Sequence, residues 1–361
     1  MTRFEEPIFV TRPYLPPLES FKEGCEEIWQ NQWLTNNGPM LIRFQNALAK
    51  YLDVPETNLA LFNNGTLALE LGYYAMGLSA GDVITTPFTF VATSHALMRI
   101  GANPVFADID PETLCLSPES AEKLITPRTK AIVPVHVYGN ACDVVGFQRL
   151  ADRYGVKIIY DAAHAFGVKQ LVGCGDMSMY SFHPTKLFHS CEGGLLVFRD
   201  AEIQKRLFEL RNFAICSETE CVDVGTNAKM NELQALMGLE CLKRLDDLLV
   251  YRLKIYEAYR EVFGGSDKIE MIHFSQNKSY VPVLFKDFAT RERVYEELKK
   301  CNVYSRRYFY PLLTDFMPYA HGRGCCPVAE EMAARVLTLP TYYGLPLDIV
   351  RMIAENVMEI I

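Results

Sequence analysis

The chain has 361 residues, 49% apolar and 22% charged, the proportions of an ordinary globular protein long enough for two packed units. A net charge of −8 with no basic block leaves no electrostatic footprint for nucleic acid and no polybasic anchor for a membrane surface. Eleven cysteines at irregular spacing, adjacent only at Cys325-Cys326, read as reduced thiols rather than a disulfide framework or a zinc site.

The opening MTRFEEPIFV carries early acids and no long apolar run, and no apolar run approaches the ~20 residues that span a bilayer. The expectation is a soluble, cytoplasmic enzyme. The proline-rich segment 2–17 is expected to be irregular. Helical spacing follows over Leu18 to Gln30 and again over Pro39 to Leu52, with Leu41, Phe44, Leu48 and Leu52 on one face. Between them Thr35-Asn36-Asn37-Gly38 makes a loop.

Leu59 to Phe62 reads as a short buried strand, followed by Asn63-Asn64-Gly65-Thr66 and a helix start. That order points backbone N–H groups of Gly65 and Thr66 at a helix N-terminus, a ready anion site. Further buried strands are expected at Val83 to Thr86, Pro104 to Ile109, Ala131 to Val137, Val156 to Tyr160 and Met177 to Phe182. Phe88, just past the first of these, can lie against a planar ring or simply fill the core. Near-continuous apolar strands alternating with connections predict an α/β fold with a mostly parallel sheet buried on both faces. No GxGxxG follows any of these strands, which disfavours a dinucleotide fold.

Asp161 and His164 follow one expected strand, and Ser181 and Lys186 end or follow the next, at the edge where open α/β sheets bind ligands. An amine, a carboxylate and hydroxyl donors gathered there match what pyridoxal phosphate requires: a covalent link, a partner for its ring nitrogen and donors for its phosphate. The pattern His183, His189 and Cys191 fits no usual zinc spacing. From Lys243 to Phe263 a helix leads into a second unit, with a strand at Tyr280 to Phe285, a helix at Thr290 to Lys300 and a final helix after Leu345. The expected division is residues 1–245, a large cofactor-binding domain with an N-terminal arm, and 246–361, a small α/β domain.

The motifs WLTNNGP, NNGTLAL, TTPFTFVAT, DAAHAFG, SFHPTK, EGG and GTNAKMNE together resemble those of the DegT/DnrJ/EryC1/StrS group of fold-type I, pyridoxal-phosphate-dependent sugar aminotransferases. The likeness runs from Trp33 to the C-terminal helix. It implies that Lys186 carries the cofactor and shuttles protons, that Asp161 pairs with the pyridine N–H and that His164 packs by the ring. Gly65, Thr66 and Ser181 are implied phosphate binders, Phe88 the stacking aromatic, and Asn227 a phosphate contact reaching in from a neighbouring subunit.

The resemblance further implies a homodimer with shared sites and L-glutamate as amino donor. The implied acceptor is a nucleotide-linked 4-keto-6-deoxyhexose, most similarly dTDP-4-keto-6-deoxyglucose, for O-antigen or related glycan synthesis. A 3-keto sugar is the alternative within the group. Thr35, Asn36, Asn37, Lys229 and Tyr310 are the candidate substrate contacts, although Lys229 stands where the group often has arginine. Arg307 and Tyr310 are equally compatible with surface pairing and core packing. A dehydratase of the same group would carry histidine in place of Lys186. A non-catalytic, cofactor-binding regulator would be expected to lack Lys186 or Asp161.

Overall fold

The computed structural model describes residues 1–272 and 274–361. Seven strands form the central sheet: β1 (Leu59–Phe62), β2 (Asp82–Thr85), β3 (Asn103–Phe106), β4 (Thr129–Ile132), β5 (Lys157–Asp161), β6 (Met177–Ser181) and β7 (Gly194–Phe198). Their spatial order is β1-β7-β6-β5-β4-β2-β3. Neighbours from β3 through β6 run parallel, and β7 alone is antiparallel to both of its neighbours.

The strands are apolar on both faces because helices cover both. Leu41, Phe44, Phe166, Phe182 and Leu236 pack on one side, while Leu69, Leu97, Met177 and Leu207 pack on the other. This is the doubly covered, mostly parallel architecture expected from near-continuous apolar strands. Two expected strands are shorter than their apolar runs, stopping at Phe106 and Ile132. Past Ile132 the regular ladder gives way to a single bridge between Val135 and Asp161, and the chain then turns, with Tyr138 at φ 58°, so that Val135 and Val137 still pack in the core.

The reversal at β7 positions the chemistry. Ser181, last in β6, pairs with Gly194, first in β7, and Gly194 pairs in turn with Phe62, last in β1. The C-terminal ends of β1, β5 and β6 therefore share one edge, and the loop from Phe182 to Gly193, which carries Lys186, hangs from it.

A long helix, Leu245–Phe263, leads to an antiparallel sheet of β8 (Ile269–Met271), β9 (Val281–Phe285) and β10 (Val336–Leu339), in that order, with helices Phe288–Lys300, Pro327–Arg335 and Leu347–Ile360 around it. We propose that the second domain begins with this long helix, close to the expected boundary at residue 246. The N-terminal arm, expected with the first domain, also makes contacts with the proposed second one. Ile8–Phe9 pairs with Val303–Tyr304, and Thr2 N–H donates to Asn356 Oδ1. Further along, Tyr14 offers its carbonyl to His189 Nε2 at 2.6 Å, so the arm bridges the two domains. Among the described residues, no helix is long and apolar enough to cross a membrane.

Candidate active site

The edge at β1, β5 and β6 opens into a cavity of about 540 Å³. Asn64 caps the helix Gly65–Ala75, its Oδ1 accepting from Leu67 N–H at 2.9 Å. The first N–H groups of that helix have no acceptor within it, so Gly65 and Thr66 present unused donors to the cavity. Ser181 faces them from the end of β6. A Cβ on Gly65 would lie 3.2 Å from Ser181 Oγ, and one on Gly194 would lie 2.5 Å from the Asn64 carbonyl oxygen. The two glycines let strand, turn and helix close into a shallow cradle.

Asp161 ends β5 and is 4% exposed. Thr93 Oγ1 donates to its Oδ2 at 2.7 Å, and Ala163 N–H to its Oδ1 at 3.1 Å. Thr93 has one hydroxyl proton, spent on Asp161, so Thr89 donates to Thr93 across 2.9 Å. Burial raises the Asp161 pKa, and the hydrogen bonds from Thr93 and Ala163 and the charge of Lys186 offset only part of that. A buried carboxylate facing a cavity, with no ion pair among the described residues, suits a protonated ring nitrogen.

His164, also lining the cavity, is held neutral by burial and by the positive charges of Lys186 and Arg306. Its Nδ1 accepts from Tyr138 N–H at 3.1 Å, which leaves the proton on Nε2, 3.5 Å from Tyr308 Oη. Lys186 sits in the turn after β6, its N–H bonded to the His183 carbonyl at 2.9 Å. Its Nζ reaches Tyr280 Oη at 3.4 Å, so the second domain touches the reactive amine directly. Amine, buried carboxylate, imidazole and phosphate-sized cradle thus surround one space of the right size for a pyridine ring and its substrate.

A profile of the DegT/DnrJ/EryC1/StrS aminotransferase family matches residues 18–358. The chain belongs to this family. It is 43% identical to a dTDP-4-amino-4,6-dideoxy-D-glucose transaminase of Shigella dysenteriae, over 99% of this chain and 100% of that one. It is 40% identical to a protein of the same name from Escherichia coli, over 96% of each. The crystal structure of DesI in the presence of its TDP-sugar product superposes with a TM-score of 0.92 at 35% identity, over 99% of this chain and 93% of that one. The fold is fold type I and the cofactor is pyridoxal phosphate, which the donor set above fits.

In this aminotransferase, Gly65, Thr66, Asp161 and His164 line the cavity, as do Ser181, Lys186 and Tyr310. Phe88 does not, and its expected place against the ring is corrected. It is fully buried, its ring set edge-on to Tyr138 and Phe309, because the chain turns its side chain down into the core behind the cavity. Phe90, two residues on and 55% exposed, lines the cavity instead.

Thr35, Asn36, Asn37, Asn227 and Lys229 also lie outside the cavity of their own chain. Glu232 gathers them: its carboxylate accepts from Met40 N–H at 2.7 Å and Leu41 N–H at 3.1 Å, and its own N–H donates to the Leu34 carbonyl at 3.0 Å. The loop before one helix and the segment before another are thereby tied together. Asn37 accepts from Arg211 at 2.9 Å, and Lys229 donates to Asn212 at 2.6 Å beside Asn227. The result is one exposed polar patch.

Sequence reasoning missed Phe90, Thr93, Tyr280, Tyr308 and Arg306, all of them in or against the cavity. The TTPFTFVAT motif contained a signal for two of these. A helix starting at Val91 puts Phe90 at its cap and Thr93 in its first turn, facing the strand ends. The remaining three come from the second domain, where no pattern in the chain announces that the segment folds back.

Proposed function

We propose that the protein moves the amino group of L-glutamate to dTDP-4-keto-6-deoxy-D-glucose, giving dTDP-4-amino-4,6-dideoxy-D-glucose for cell-surface glycan synthesis in the cytoplasm. The observation that supports this sugar is the name shared by the relatives from Shigella dysenteriae and Escherichia coli, matched across nearly the whole of both chains.

Pyridoxal phosphate, when bound, supplies the ring that absorbs the electron pair left on the substrate carbon. The chain's own residues do the rest. Asp161, buried and oriented by Thr93, would hold a proton on the ring nitrogen. Gly65 and Thr66 would give helix N-terminal N–H donors to the phosphate, and Ser181 its hydroxyl. Phe90 and His164, both lining the cavity, would flank the ring. Lys186 would hold the cofactor through its amine and, once freed by the amino donor, would carry the proton to and from the substrate carbon, a short transfer within one cavity.

The working unit in this reading is a homodimer. The patch of Thr35, Asn36, Asn37, Asn227 and Lys229 lies outside the cavity that holds Lys186 and Asp161. Beside it Leu34, Phe213 and Val224 leave apolar surface open to solvent, Val224 at 84%. Pairing two copies would bury that surface and bring each patch to the other's cavity, Asn227 toward the phosphate and Lys229 toward the substrate.

The test is spectroscopic and then chemical. Purified holoenzyme should show a visible band that moves to the near ultraviolet with L-glutamate and returns when dTDP-4-keto-6-deoxyglucose is added, with the new amine at C4 by NMR. A visible band indifferent to glutamate would reject the donor. An amine at C3 would reject the sugar.

A further inference from the structure

Three cationic side chains line the cavity, Lys186, Arg306 and Arg307, and their circumstances differ. Lys186 is bonded to Tyr280 Oη. Arg307 is occupied elsewhere: its Nη1 lies 2.8 Å from Glu292 Oε2, and its guanidinium sits 4.3 Å from the Tyr295 ring centre. Glu292 also approaches the buried Arg291 at 3.0 Å, so one carboxylate lies beside two guanidinium groups.

Arg306 has no such partner. Its main chain is fixed, with N–H donating to the Thr338 carbonyl at 3.1 Å and carbonyl accepting from Thr338 N–H at 2.8 Å. Its guanidinium lies 5.5 Å from the Tyr308 ring centre, and Tyr308 Oη stands 3.5 Å from His164 Nε2. Among the described residues the Arg306 side chain makes no hydrogen bond and no ion pair. Of the acids that share the cavity, Asp161 accepts from Thr93 and Ala163, and Glu192 lies half-exposed beside His183 at 3.5 Å. A half-buried guanidinium with five unspent donors, its main chain bridged to Thr338 and its side chain lining a cavity, is arranged for a planar oxyanion.

Two oxyanions reach this space in the proposed reaction, on which this inference rests: the carboxylates of the amino donor and the diphosphate of the nucleotide sugar. The α-carboxylate is bonded to the very carbon that reacts, so it stays among the neighbours of Lys186. The diphosphate hangs from C1 of the hexose, across the ring from the reacting C4. Arg306 stands among the aromatic and imidazole groups that surround Lys186. We propose that Arg306 holds the α-carboxylate of the amino donor by a two-point ion pair, and so selects an amino acid as the source of nitrogen.

The experiment uses holoenzyme carrying Arg306→Gln and Arg306→Lys, each checked for a native visible band and circular dichroism. The wild type, titrated with L-glutamate, gives the half-saturation of the absorbance change. Arg306→Gln should raise it by about 30-fold or more, the loss of a charge-assisted bidentate contact, and Arg306→Lys should recover part of it by charge without the fork. Calorimetric binding of 2-oxoglutarate should weaken in parallel, while binding of dTDP stays as in the wild type.

Unchanged glutamate and 2-oxoglutarate titrations in Arg306→Gln would overturn the proposal. So would a loss confined to dTDP, which would assign the arginine to phosphate. A wild type that ignores L-glutamate would show instead that the donor in the proposed function is wrong, and the role of Arg306 would fall with it.

Discussion

Thr93 Oγ1 donates a 2.7 Å hydrogen bond to Asp161 Oδ2 inside the sheet edge, and Thr89 donates to Thr93 behind it. A buried carboxylate is thus steered by a two-hydroxyl chain before any ligand arrives. Removing the steering group should weaken the cofactor more than it weakens the fold. Thr93→Val is isosteric and leaves one lone pair of Asp161 without a donor. A hydrogen bond to a charged group is worth about 1.5–3 kcal/mol, so cofactor affinity should fall about 10- to 150-fold, read by absorbance titration of apoprotein.

Asp161→Asn separates stability from function. The native carboxyl is raised above its ordinary value, so it favours the fold at low pH and opposes it once ionised, above the usual carboxylate range. Apoprotein carrying asparagine should therefore melt no lower than wild type at pH 7.5, while its hold on cofactor and its turnover collapse. A melting temperature well below wild type would count against a carboxylate strained by burial.

Phe88 and Phe90 should fail in opposite ways. Phe88→Ala empties a fully buried ring site and should cost about 3–5 kcal/mol in denaturant unfolding. Phe90→Ala removes a half-exposed ring and should leave stability nearly unchanged while loosening cofactor and slowing turnover. Equal stability losses in both variants would contradict their placement.

His136 is fully buried and stacked on Tyr160 at 4.7 Å, and burial pushes its pKa down to about 3. Unfolded, it titrates near its ordinary 6.5, so from that pH downward the unfolded chain binds a proton that the native chain refuses. Stability is then lost as pH falls from about 6.5 toward 3, by up to about 1.4 kcal/mol per pH unit for this group. Urea midpoints of apoprotein at pH 7.5, 6 and 5 should show the decline, and His136→Gln should lessen its slope.

If two copies share their sites, mixed dimers of Lys186→Ala and Asn227→Ala should regain activity that neither parent shows. One of the two sites in such a hybrid combines an intact Lys186 with an intact Asn227. Activity that stays at the average of the two parents would reject a phosphate contact from the neighbouring subunit.

The sheet and the residues at its strand ends were legible because each is announced locally. An apolar run ending in Asp161, or a turn NNGT before helical spacing, signals both element and edge. Phe88 and Phe90 were not separable, since both sit in an irregular link where neither period 2 nor period 3.6 assigns a face. Tyr280 and Arg306 were invisible for a different reason. Their chemistry depends on how the second domain folds back over the first, and long-range return leaves no periodic mark. The arm's partner was hidden likewise, as the two residues Ile8 and Phe9 are too few to display a pattern.

Gly65 and Gly194 face one another where β1, β7 and the helix start converge, with a Cβ at position 194 only 2.9 Å from Gly65 Cα. Position 194 cannot accept a side chain while Asn64 and Gly65 keep their backbone path, whereas a Cβ at position 65 would meet only the side chains of Ser181 and Met179, at 3.2–3.3 Å. In a saturation library position 194 should therefore appear as an empty column, while position 65 admits small residues only where Ser181 or Met179 gives way. A directed-evolution campaign on the phosphate end of this pocket would have to work through Thr66 and Ser181 and leave Gly194 alone.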